Sequence, residues 1–127
     1  MDLKDIFTKE VQRNVNGTVY IQELKSNLEC IVKTKKMSYP ILFIYNDNYE
    51  KKWEFTCKQF QFFSVTNLIC IFVSKKEDNS FNYHIINCLE LLEISKINKD
   101  DFLNKKDVIY SFKDELDKYL SNWKIIE

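Results

Sequence analysis

Apolar residues along this chain fall into distinct periodicities, and each predicts an element. The densest run is Leu68-Ile69-Cys70-Ile71-Phe72-Val73. Six apolar positions in a row, mostly β-branched or aromatic, predict a strand buried on both faces. Ile41-Leu42-Phe43-Ile44-Tyr45 predicts a second such strand, opened by Pro40, which has no N–H to give to a ladder. Strict alternation marks Leu28 to Lys35, where Leu28, Cys30 and Val32 face one way and Glu29, Ile31 and Lys33 the other. Thr18 to Leu24 is its expected hairpin partner across the turn Lys25-Ser26-Asn27. After a turn at Asn46-Asp47-Asn48, Tyr49 to Phe55 alternates too. There Tyr49, Trp53 and Phe55 lie with Lys51 against Glu50, Lys52 and Glu54, which predicts a half-solvated strand at or near a sheet edge. Phe81 to Asn87, with Phe81, Tyr83 and Ile85 on one face, completes the predicted strands.

Helical spacing recurs at both ends. Leu3, Ile6, Phe7 and Val11 predict a first helix, capped by Asp2 and ended by Asn16-Gly17, with the glycine in the left-handed conformation. Thr56 begins a short helix carrying Cys57, Phe60, Phe63 and Ser64, suited to a crossover onto Leu68–Val73. Cys88 to Ile94 reads as one helical turn and a loop, and Asp100 onward as a polar connection. The strongest helix signal is the last: Ser111 followed by Asp114 and Glu115, with Phe112, Leu116, Tyr119, Leu120 and Trp123 in one stripe. A meander, a helical crossover and a strand pair give a single α+β domain over residues 1–127. Its mixed sheet is expected to hold five to six strands, with N- and C-terminal helices packed on it.

Composition narrows the functional classes. With 19 basic and 19 acidic residues the net charge is zero, so the chain lacks the electrostatic drive of a dedicated nucleic-acid binder. Alanine is missing, glycine and proline occur once each, and Arg13 stands against eighteen lysines. Folding gives no reason to avoid alanine, the best helix former. The abundant residues have A/T-rich codons, so the bias points to an A+T-rich genome, that of a low-GC bacterium, a phage or mobile element, or an A+T-rich eukaryote or virus. The four cysteines, at 30, 57, 70 and 88, form no C-x-x-C pair, and Cys70 sits in the densest apolar run. That arrangement predicts reduced, buried thiols and no metal. The opening Met1-Asp2-Leu3-Lys4-Asp5 is charged, and no apolar run approaches the ~20 residues that span a bilayer. A cytoplasmic protein is expected.

Two stretches carry a family resemblance. Glu29-Cys30-Ile31-Val32-Lys33-Thr34 looks like the strand that bears (D/E)-x-K-T, and Phe55-Thr56-Cys57-Lys58-Gln59-Phe60 looks like the helix that follows it. With the order of elements over roughly residues 18–94, they resemble the PD-(D/E)xK restriction-endonuclease-like superfamily. That resemblance implies two carboxylates converging on Mg²⁺ and a lysine near the reacting phosphate. Residue by residue the set is incomplete. Two positions before Lys33 stands Ile31, which cannot bind a metal. Glu23-Leu24-Lys25 is a literal E-x-K, but its upstream aspartates, Asp2 and Asp5, belong to the first helix. Glu50-Lys51-Lys52 has Asp47 only three residues before it, in a turn. Glu23, Lys25 and Lys33 are therefore the catalytic candidates of an alternative reading, a degenerate or complex-dependent nuclease-like domain that contacts nucleic acid.

Other chemistry is thinner. His84 is the only histidine and reads as structural, and one glycine leaves no phosphate-binding loop. Four Lys-Lys pairs fit strand ends guarded against edge pairing. Nineteen aromatics are many for this length, and Tyr and Trp are favoured interface anchors. Tyr119 and Trp123 read as core, whereas Trp53, on a half-solvated strand, is the open case. The leading expectation is a small non-catalytic protein without cofactors that docks on a partner protein, of the immunity-protein or phage- or element-encoded inhibitor type. Its interface candidates are Tyr49, Glu50, Lys52, Trp53 and Glu54.

Overall fold

A computed structural model describes residues 3–21, 28–46, 53–60, 67–104 and 109–126. The first helix, α1 (Leu3–Asn14), leads into strands β1 (Thr18–Ile21), β2 (Leu28–Lys33) and β3 (Ser38–Asn46). Strand β4 (Trp53–Thr56) and a 3-10 turn (Cys57–Phe60) precede β5 (Ile69–Lys75) and β6 (Phe81–Asn87). The chain then forms α2 (Cys88–Ile94), α3 (Lys99–Asn104), β7 (Ile109–Phe112) and two 3-10 turns, Asp114–Tyr119 and Trp123–Ile125. The predicted α+β class with a mixed sheet is what the molecule has. Five strands lie in the order β1-β2-β3-β5-β6, and β4 pairs with β7 in a separate two-stranded ribbon.

Within the main sheet β1, β2 and β3 form an antiparallel meander, β5 runs parallel to β3, and β6 returns antiparallel to β5. Each residue from Leu68 to Val73 is at most 1% exposed, as a strand flanked on both sides and covered on both faces requires. Pro40 sits opposite Ile31 of β2, and the β5 pairing begins only at Ile41. The missing N–H therefore falls outside the β3–β5 ladder.

The sheet divides two cores. On one face α1 packs Phe7 and Val11 against Ile41, Ile71, Val73 and Ile85. On the other, Leu42, Ile44, Cys70, Phe72 and Ile86 meet the ribbon, α2, α3 and the turn Asp114–Tyr119. The ribbon supplies rings: Phe55 stacks on Phe112 at 5.4 Å and on Tyr110 at 5.5 Å, and Trp53 meets Phe72 edge-on at 5.7 Å.

Four sequence expectations are corrected here. Gly17 has no positive φ. Its need for glycine is spatial, since a Cβ would come within 2.6 Å of the Lys33 carbonyl oxygen. The described part of the expected edge strand Tyr49–Phe55 lies in β4, which belongs to the ribbon and not to the main sheet. The stretch after Asn98 is not a plain connection: the Asn98 side chain accepts from Asp100 N at 2.8 Å and starts α3. Nor is the C-terminal stripe an α-helix. Phe112 pairs with Trp53 as a strand, and the turn after it is 3-10, so Leu116 and Tyr119, three apart, are buried while Leu120 is 49% exposed. The expected turn residues Lys25, Ser26, Asn27, Asp47 and Asn48, with Phe63 and Ser64 of the crossover, lie outside the described residues.

Each edge of the sheet is engaged by another element. At β1 the Gln12 amide of α1 accepts from Val19 N and donates to the Gly17 carbonyl, each at 3.1 Å. At β6 the C-terminal tail does this work: Leu120 bridges to His84, Ser121 N donates to Tyr83 O at 2.8 Å and Asn122 Nδ2 to Ile85 O at 3.3 Å. The tail also changes faces there. Leu116 and Tyr119 belong to the ribbon-side core, whereas Ile126 belongs to the α1-side core, with Trp123 and Ile125 packed against it. Ser121 adopts φ 54°, the left-handed region, where the tail bends over the edge.

Candidate functional site

The sequence-predicted site residues are scattered. Glu23 and Lys25 lie outside the described residues, as do Tyr49, Glu50 and Lys52. Lys33 is exposed at the end of β2, with its Nζ 5.1 Å from the Tyr20 ring centroid, a cation–π contact. Glu54 is exposed on the outer face of the ribbon, opposite Ser111. Trp53 is not at a rim. It is 2% exposed, and its indole N–H donates to the Val73 carbonyl at 2.9 Å. The alternation that left its strand half-solvated is real, but its apolar face lies against the main sheet.

Other reactive groups are structural in placement. All four cysteines are buried thiols, not disulfides. Burial, then a hydrogen bond with Cys88, pushes the Cys70 thiol up, away from the nucleophilic thiolate. His84 is 1% exposed, with Nδ1 3.3 Å from the Phe72 carbonyl and its ring 4.9 Å from that of Trp53. Among the described residues no three His, Cys, Asp or Glu side chains gather as a metal site would require.

What the structure does bring together is a groove that sequence reasoning did not find. It is an open concavity of about 640 Å³ beside α1 on the β6 side of the sheet. Helix α1 contributes Ile6, Lys9, Glu10 and Arg13, one face of consecutive turns. The turn between β5 and β6 adds Lys76, the start of β6 adds Phe81 and Tyr83, and the tail adds Ser121 and Trp123. Trp123 packs against Tyr83 with ring centroids 5.7 Å apart. Glu10 is held by its own helix: Arg13 Nη1 donates to Oε2 at 2.7 Å and Asn14 Nδ2 to Oε1 at 2.9 Å. Burial, then the Glu10 carboxylate, pushes the Tyr83 hydroxyl up to about 12, with Arg13 acting in the opposite direction. Asp78, in the β5–β6 turn, is engaged by Ser80, whose N–H and Oγ both donate to it. Those hydrogen bonds lower the Asp78 pKa.

The sequence signal for this groove was present but divided. Lys9, Glu10 and Arg13 fall outside the apolar set Leu3, Ile6, Phe7 and Val11 that marks the first helix. Trp123 read as core because it fell in the apparent helical stripe. Only the tail's passage over β6 places that ring beside Tyr83 and within reach of α1.

No helix among the described residues is long and apolar enough to cross a membrane. No protein-family model matches the chain, and no curated protein matches it either. Among solved structures, the crystal structure of MepB is similar at a TM-score of 0.44 and 14% identity, over 87% of this chain and 79% of that one. A likeness at that level carries no argument about activity.

Proposed function

We propose that this chain acts by binding rather than by catalysis, docking on a partner protein through the groove between α1, the β5–β6 turn and the C-terminal tail. One observation carries the reading. Arg13, Tyr83 and Trp123, the three residue types that dominate interface energetics, converge on one open concavity. Trp123 is half-buried over the buried Tyr83, and the Arg13 side chain beside them is 72% exposed, so an apolar ring and a solvent-exposed cation are offered together. Zero net charge favours a protein over a nucleic acid as that partner.

The test is capture from an extract of the source organism, followed by calorimetry with the identified partner and purified variants. Trp123→Ala is expected to weaken binding by about 2 kcal/mol, the scale of an interface hot spot. Glu54→Lys, on the outer face of the ribbon, is expected to leave it unchanged. Loss of binding in Glu54→Lys with none in Trp123→Ala would move the interface to the ribbon. Recovery of nucleic acid alone would replace the partner class.

A further inference from the structure

Three cations and one carboxylate line the groove: Lys9, Arg13 and Lys76 against Glu10. The chain as a whole is neutral, so this positive excess is local and is balanced elsewhere. Part of that balance lies beside the groove, in the exposed Glu77 and Asp78 next to Lys76, and part at the α3 end, where Asp100, Asp101, Asp114, Glu115 and Asp117, all exposed, outnumber Lys99, Lys113 and Lys118. Such a distribution draws an acidic segment toward the groove and repels it from the α3 end.

Building on the docking reading above, we propose that the groove takes an acidic segment of the partner. Its carboxylates would reach Lys9, Arg13 and Lys76, and one apolar side chain would seat on Phe81 and Trp123. Arg13 suits the role. Its side chain is 72% exposed, and its ion pair with Glu10 is a helix-surface contact that an incoming carboxylate can share or replace. The fork of a guanidinium binds a carboxylate through two parallel N–H donors, which a lysine cannot do. A polyanionic strand fits less well, because Glu10 sits among the cations and the excess amounts to only two charges.

Nuclear magnetic resonance on the labelled full chain tests this directly. The probes are a blocked Asp-Glu-Phe-Asp-Glu peptide, its isosteric Asn-Gln-Phe-Asn-Gln counterpart and a short oligothymidylate. The acidic peptide is expected to shift amide signals from Lys9, Arg13, Lys76, Tyr83 and Trp123, with the neutral peptide at least tenfold weaker. Arg13→Gln and Lys76→Gln, both at exposed positions, are each expected to weaken the acidic peptide severalfold without altering the rest of the spectrum. Lys58→Gln, outside the groove, is expected to change nothing. Equal binding of the two peptides, no shift at the groove, or displacement of the acidic peptide by the oligonucleotide would overturn the proposal. The two readings fail differently. A partner whose affinity falls in Trp123→Ala but not in Arg13→Gln or Lys76→Gln keeps the groove and removes the acidic segment. A partner indifferent to all three variants removes the groove itself.

Discussion

The two faces of the sheet are closed by different means, and the difference locates the groove. On the ribbon face β4 and β7 lay Trp53, Phe55 and Phe112 over Phe72, and Phe102 of α3 closes the side, with ring centroids between 5.4 and 6.2 Å. These rings come from four separate elements and interlock, so almost nothing of them meets water. On the opposite face a single 12-residue helix does most of the covering. A helix is about 10 Å wide, while five strands at about 4.8 Å spacing span roughly 19 Å. One helix cannot cover that width. The remainder is partly filled by Phe81 and by Trp123 from the tail, both half-buried, and the groove is what stays open. A sealed face serves stability, and an incompletely covered one leaves aromatic and cationic side chains available to a partner.

The two tryptophans measure this contrast. Trp53 fills a closed core and satisfies a buried carbonyl, so Trp53→Ala is expected to cost about 3–5 kcal/mol in urea unfolding. Trp123 packs on Tyr83 but is only half-buried, and Trp123→Ala is expected to cost about 1 kcal/mol. Equal losses would mean that the α1 face is as tightly closed as the ribbon face.

How far the sequence announces this arrangement differs between the two tryptophans. The buried strands β3 and β5, the β1–β2 hairpin and the first helix are legible because their periodicities are local and point to one answer. The ribbon is not. Ile109-Tyr110-Ser111-Phe112 alternates, but Phe112 also fits a helical stripe with Leu116, Tyr119 and Trp123, and only pairing with β4, some fifty residues earlier, decides for the strand. The same distant pairing turns Trp53 inward. The groove is illegible for a related reason, since its walls come from α1, the β5–β6 turn and the tail. No window of sequence contains all three.

A smaller effect probes how the α1 face is anchored to the hairpin beneath it. Gly17 links α1 to β1, and a Cβ there would meet backbone, the Lys33 carbonyl oxygen at 2.6 Å, which cannot swing aside as a side chain can. Gly17→Ala is expected to destabilise by about 1–3 kcal/mol, as overpacking does. The signature should be confined to α1, β1 and β2, with amide exchange quickened there and the ribbon protected as before. Uniform loss of protection would show that the two faces unfold as one unit, and the contrast between them would then be static only.

The smallest expected effect appears in alkali, where each face carries a tyrosine pushed up to about 12. Tyr83, on the groove side, is pushed up to about 12 by burial and by Glu10. Tyr119, on the ribbon side, is also pushed up to about 12, by burial and by the hydrogen bond its hydroxyl donates to Glu90 at 2.7 Å. In the unfolded chain both titrate near 10. Between pH 10 and 12 the unfolded state therefore holds fewer protons than the folded one, so stability falls as pH rises. The stabilisation is complete below pH 10 and is lost as pH passes through about 12. Tyr83→Phe and Tyr119→Phe should each remove one proton's worth of that slope, read as denaturation midpoints across this range. The causes separate the faces: Glu10→Gln is expected to lower the Tyr83 titration seen by tyrosinate absorbance and leave Tyr119 in place, and Glu90→Gln to do the reverse. If Glu10→Gln moved neither tyrosine, the Tyr83 hydroxyl would not face the Glu10 side of the groove, and the electrostatic effect of Glu10 on Tyr83 would be absent.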